Sequence, residues 1–177
     1  MKSYYIIFFY IVFIFCNYAY STTIVVVDIN SLIDNNKNYK KIIKEIELNQ
    51  NKYLENFKIK EDELSKKLSQ LENSKLILNE SEINNQIENY NEEFNNFTIL
   101  IEQFNFHYQN QIIKIREIVL REIIVLLEKF ALENKIEIIL DSTSYLIASN
   151  SINITEKINI ELNKLDIKII YENFEEN

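Results

Sequence analysis

A chain of 177 residues with no glycine, no proline, one cysteine, one histidine and a net charge of −8 at pH 7 excludes several activities at once. Without glycine there is no phosphate-cradling loop of the P-loop or dinucleotide type, and an acidic surface repels nucleic acid. A lone His107 and a lone Cys16 supply neither a metal-ligand set nor a nucleophile–base pair, so no cofactor, metal or enzymatic activity is expected.

Residues 1–21, MKSYYIIFFYIVFIFCNYAYS, combine one lysine, an apolar run and a small-x-small ending. That is the pattern of a secretory signal peptide cut before Thr22, and the run is short of the roughly 20 apolar residues that span a bilayer. Its removal leaves no cysteine, so in an oxidising compartment the mature chain depends on its core or on oligomerisation.

Residues 22–28, TTIVVVD, read as a buried strand, with Asn30 and Ser31 able to cap a short helical turn. From residue 37 to 78 the pattern is helical, with Leu54, Phe57, Leu64, Leu68 and Leu71 at coiled-coil spacing and Glu61 as the polar intruder. A second stripe, Ile83, Ile87, Tyr90, Phe94, Phe97, Ile101, Phe104 and Tyr108, alternates steps of four and three without interruption. It continues through Ile112, Ile115, Val119, Ile123, Leu126 and Phe130. Between the stripes, Asn79 with Glu82, or Ser81 alone, can cap the second helix. So short a connection makes the helices antiparallel, and at about 1.5 Å per residue the arm extends roughly 60 to 80 Å.

The period changes to that of a strand at Ile136, Ile138 and Leu140, followed by turn chemistry at residues 141–144 and a further short strand at 145–148. A closing helix follows, capped by Asn153 or Thr155, with Ile154, Ile158, Leu162 and Leu165 on one face. The expected fold class is mostly α with a small β part. A long antiparallel coiled-coil hairpin (residues 37–134, tip near 76–82) projects from a small α/β oligomerisation body (residues 22–36 plus 135–170), and residues 171–177 form a frayed tail. Ile24, Val25, Val26, Val27, Ile136, Ile138 and Leu140 are the candidate body and oligomerisation residues.

Beside the seam, Ile59, Ile99, Leu100 and Phe106, and Leu76, Ile77 and Leu78 near the tip, either broaden the hairpin core or form a contact surface. His107 reads as a packing or helix-surface residue and the carboxylates as solvated. The Asn-x-Ser/Thr matches at Asn79, Asn96 and Asn153 are what an Asn-rich chain produces by chance.

An exported chain without disulfides, with VVVDINSLI at its first strand, a long hairpin, and then IEIILDSTSYLIASNSINITEKINIEL, resembles the Skp (OmpH-like) family of periplasmic chaperones. The resemblance rests on residues 24–32 and 138–162 and on the order of elements between them. It implies a homotrimer whose hairpins surround a cavity and hold unfolded outer-membrane β-barrel proteins without ATP. The chain departs from the family at the tip. Glu80 and Glu82 stand beside Lys75 where members are basic, so no lipopolysaccharide contact is carried over and membrane contact is not expected. The competing reading is a structural or adaptor coiled coil of the envelope, anchored by an uncleaved first segment. An exported protein of an AT-rich parasite is a more distant one.

Overall fold

The computed structural model describes residues 22–74 and 79–175. The signal-peptide reading and the tip candidates Leu76, Ile77 and Leu78 lie outside the described residues. Strand β1 (Ile24–Val27) leads into helix α1 (Ile29–Asn35), and two long helices follow, α2 (Lys37–Ser74) and α3 (Glu80–Asn134). Strand β2 (Ile138–Asp141), two short 3-10 turns and helix α4 (Thr155–Leu162) complete the order.

Local chemistry sets the joints. Asp28, rather than Asn30 or Ser31, caps α1, its side chain accepting from the Ser31 N–H at 2.8 Å. Asn36 caps α2 by accepting from the N–H groups of Asn38 and Tyr39. Asn79 and Glu82 form the expected capping box on α3. Helix α3 ends with Lys135 in the left-handed region (φ 53), a position that favours glycine but is held here by a lysine.

The sheet pairs β1 and β2 in parallel, Ile24 opposite Ile138 and Val27 opposite Asp141. The whole hairpin is the crossover between them. The other edge of β1 bridges Asn153 from Val26, and the Ile154 N–H donates to the Val26 carbonyl. Residues 145–148, expected to form another strand, are therefore left without that edge; they lie outside regular structure with Leu146 100% and Ile147 92% exposed. Ile154, Ile158 and Leu162 of the closing helix pack with Val25, Val27, Leu32, Val119, Ile123 and Leu127. The last third of α3 is thus body core, and the arm leaves the body only above about Ile115.

Asp141 ties the two halves of the body together. Its carboxylate accepts from the Ile29 N–H at 3.1 Å and from the Thr143 N–H and hydroxyl at 3.2 and 2.6 Å. Burial pushes its pKa up, but these hydrogen bonds outweigh it and hold the group below the usual aspartate value. Asp141→Ala is expected to cost about 1–3 kcal/mol, read as a lowered thermal transition.

Candidate functional site

The arm supplies the extended surface of this molecule, and its geometry follows from two helices packing with no third. On α2 the seven-residue series Phe57, Leu64 and Leu71 is buried, facing Phe97 and Phe104 of α3. The rings interlock edge to face, Phe57 with Phe97 at 6.0 Å and with Phe104 at 5.0 Å, the arrangement favoured by aromatic quadrupoles. Ile83, Ile87, Tyr90 and Ile101 are half-buried.

Tyr108 is buried as well, but three seam candidates are not core. Leu54, Leu68 and Phe94 are 51%, 43% and 48% exposed, a correction to the expectation that the stripe is interior. A lone helix pair buries one position of each heptad fully and leaves the other at the margin. Residues 54, 61 and 68 form one seven-residue series, so Glu61 interrupts the marginal series and not the buried one. These residues, with Tyr90, Phe94 and Ile101, line an open groove of about 760 Å³ along one flank, with Phe57, Phe97 and Phe104 in its floor.

The candidates beside the seam separate in the same way. Ile59, Ile99 and Phe106 are exposed and Leu100 is half-buried. Ile99 and Leu100 line a groove on the opposite flank with Asn56, Lys60, Glu93, Asn96 and Gln103. Ile99 and Phe106 continue at the same spacing to exposed Ile113, an exposed stripe along α3. In the body, Val25, Val26 and Val27 are buried, Ile136 and Leu140 half-buried, and the paired Ile24 and Ile138 exposed at the end of the sheet.

Toward the tip, Lys67 and Lys60 of α2 converge on Glu93 of α3 at 2.6 and 3.7 Å. The Lys67 hydrogen bond, helped by the charges of both lysines, holds the Glu93 carboxyl below the ordinary glutamate value. A depressed carboxylate contributes stability that is present above its unfolded pKa and lost as pH falls through the folded one. Acidification below the ordinary glutamate range is therefore expected to loosen the distal arm, and only slightly, since the pair is solvent-screened. A lower amide protection factor near Glu93, corrected for the intrinsic exchange rate, would show this below the glutamate range, and Lys67→Ala should reduce the pH dependence, leaving the Lys60 part.

The sequence reading missed one constellation, at the base of the arm. The described tail residues, 171–175, are not frayed: Phe174 is 6% exposed and packs with Tyr53, Phe104 and His107. Buried Gln111 and half-buried Tyr53 and His107 belong to the same place. The period-two alternation of Leu165, Ile167, Ile169 and Tyr171 was the available signal. Among the described residues no helix is long and apolar enough to cross a membrane.

No curated protein matches the chain. The fold is similar to that of a candidate outer membrane chaperone (OmpH-like) from Caulobacter crescentus CB15, with a TM-score of 0.72 at 10% identity over 87% of this chain and 92% of that one. The family model described as outer membrane protein (OmpH-like) matches residues 23–162, from β1 to the end of α4. With that much of its length matched, the chain belongs to the OmpH-like outer membrane protein family.

Proposed function

We propose that this family member is an ATP-independent holdase that binds unfolded outer-membrane β-barrel proteins in the periplasm, exported by a signal peptide cut before Thr22 and working as a homotrimer. The observation that carries the reading is the marginal heptad series, Leu54, Leu68, Phe94 and Ile101, left open along one flank of a projecting arm. Long arms bearing shallow apolar grooves hold a chain by many weak contacts rather than in one deep pocket. Because fields are screened beyond about 8 Å at physiological salt, the acidic surface leaves the grip to short-range contacts. Trimerisation is supported by the apolar material the single chain leaves bare, Leu146 and Ile147 together with the paired Ile24 and Ile138.

One observation favours the adaptor reading: Ile99, Phe106 and Ile113 form an exposed seven-residue series along α3, a spacing suited to a partner helix. Light scattering during dilution of a denatured barrel protein, without ATP and at physiological salt, decides between them. The folded protein is expected to suppress scattering, and Leu68→Asp/Phe94→Asp to lose most of that effect while keeping its helical circular dichroism. No suppression by the folded wild type would transfer the assignment to the adaptor.

A further inference from the structure

The chain beyond the family match runs extended from the body to the base of the arm. Leu165, Ile167, Ile169 and Tyr171 turn inward, while Asp166, Lys168, Ile170 and Glu172 are exposed, the alternation of extended backbone. The Phe174 ring lies edge-on to Tyr53 at 5.6 Å and to Phe104 at 5.4 Å, with His107 at 5.7 Å. The backbone is held from both helices. His107 Nε2 donates to the Glu172 carbonyl at 2.8 Å, the Glu172 N–H donates to Gln111 Oε1 at 3.5 Å, and the Tyr53 hydroxyl donates to the Phe174 carbonyl. Asn49 Nδ2 reaches the Tyr171 hydroxyl and the Asn173 side-chain oxygen. Three of these contacts read main chain, and one aromatic ring is the anchor.

Two features show that the tail does not use the whole seat. The Tyr108 hydroxyl, on a side chain 1% exposed, faces the Phe174 backbone in a contact too loose to form a good hydrogen bond. Buried polar groups are ordinarily well paired, so the resident backbone satisfies this one only in part. The groove also continues past Phe174 toward the tip, from Gln103 over Leu100 and Asn96, with Phe57 and Phe97 below it and a volume of about 720 Å³. A longer extended segment fits the same track.

We propose that this flank is a peptide clamp for extended polypeptide carrying an aromatic anchor, and that residues 171–174 are its displaceable resident. Resting on the function proposed above, an unfolded client enters the arm by displacing the tail, so the clamp opens only when there is a chain to hold. Main-chain recognition suits that task, because it accepts many sequences while the aromatic anchor sets the register.

The test uses a fluorescent peptide of residues 168–175, KIIYENFE, with the purified wild type and with Tyr171→Ala/Phe174→Ala, whose own tail no longer occupies the clamp. The variant is expected to bind the peptide at least tenfold tighter than the wild type. Adding Tyr53→Phe should weaken that binding several-fold, and a denatured barrel protein should release the peptide. A folded variant that binds no better than the wild type overturns the clamp. A client that is held without releasing the peptide overturns the displacement and makes the tail a fixed strap. Tight peptide binding with no client held by either protein supports the clamp and removes the holdase reading. Should the variant lose helicity, amide exchange in the wild type decides: residues 171–174 are expected to lose protection when client is added, and unchanged protection overturns displacement.

Discussion

Phe104→Ala is expected to melt the arm while the body remains folded. Phe104 is buried where both helices and the tail converge, its ring within 5.0 to 5.5 Å of the ring centres of Phe57, Tyr108, Phe174 and Tyr53. Truncating a buried phenylalanine costs about 3–5 kcal/mol through lost transfer energy and the cavity left behind. In a two-helix arm no second layer can move in to fill that cavity, so the cost should fall at the upper end. The loss is local because the body's core is built from other residues, with Val119, Ile123, Ile158 and Leu162 at its centre. Thermal unfolding followed by far-ultraviolet circular dichroism should split into an early loss of most helical signal and a later transition close to that of the wild type. A single unshifted transition would show that the aromatic cluster does not hold the hairpin.

Val119→Asp is expected to abolish the folded state altogether. Val119 is 0% exposed, in a cluster whose buried members are all aliphatic, from β1, α1, α3 and α4 and the chain beyond it. An unpaired carboxylate placed there costs several kcal/mol even after relaxation. Small domains have only about 5–15 kcal/mol in total, and this body must also anchor the ends of a long arm. The variant should be recovered as an aggregated or protease-sensitive chain, with neither the early nor the late transition. A soluble variant with native-like amide protection in β1 and α4 would count against the placement of α3 at the centre of the body. The contrast between the two substitutions separates arm from body along a single continuous helix.

Much of this architecture is legible in particular residues. The uninterrupted alternation from Ile83 to Tyr108 announced α3, and Asn79 with Glu82 announced its start through a capping box that is present. The β-branched run at Ile24 to Val27 and the alternation around Ile138 announced the two strands, which pair as the distant halves of one sheet. What failed did so for a common reason. Residues 145–148 have strand-like composition, but β1's second edge is taken by Asn153 and Ile154, and nothing in the local composition shows that another segment takes that place. Leu54, Leu68 and Phe94 satisfy heptad spacing as well as Phe57 and Phe97 do, yet only the rotation of each helix about its own axis decides which series is buried. Residues 171–174 carry polar residues between two aromatics and look frayed in isolation. Their partners, Tyr53, His107 and Gln111, are more than sixty positions away in the chain.

The sequence by itself determined the elements and their order: local spacing and capping chemistry depend on neighbours within a turn or two, and those neighbours are written consecutively. The tertiary structure alone decided which flank of the arm stays open, where the arm ends and the body begins, and that the tail lies in a groove between the helices. Each of these depends on surfaces contributed by distant segments, whose relative rotation and spacing come from packing and from no single stretch of residues.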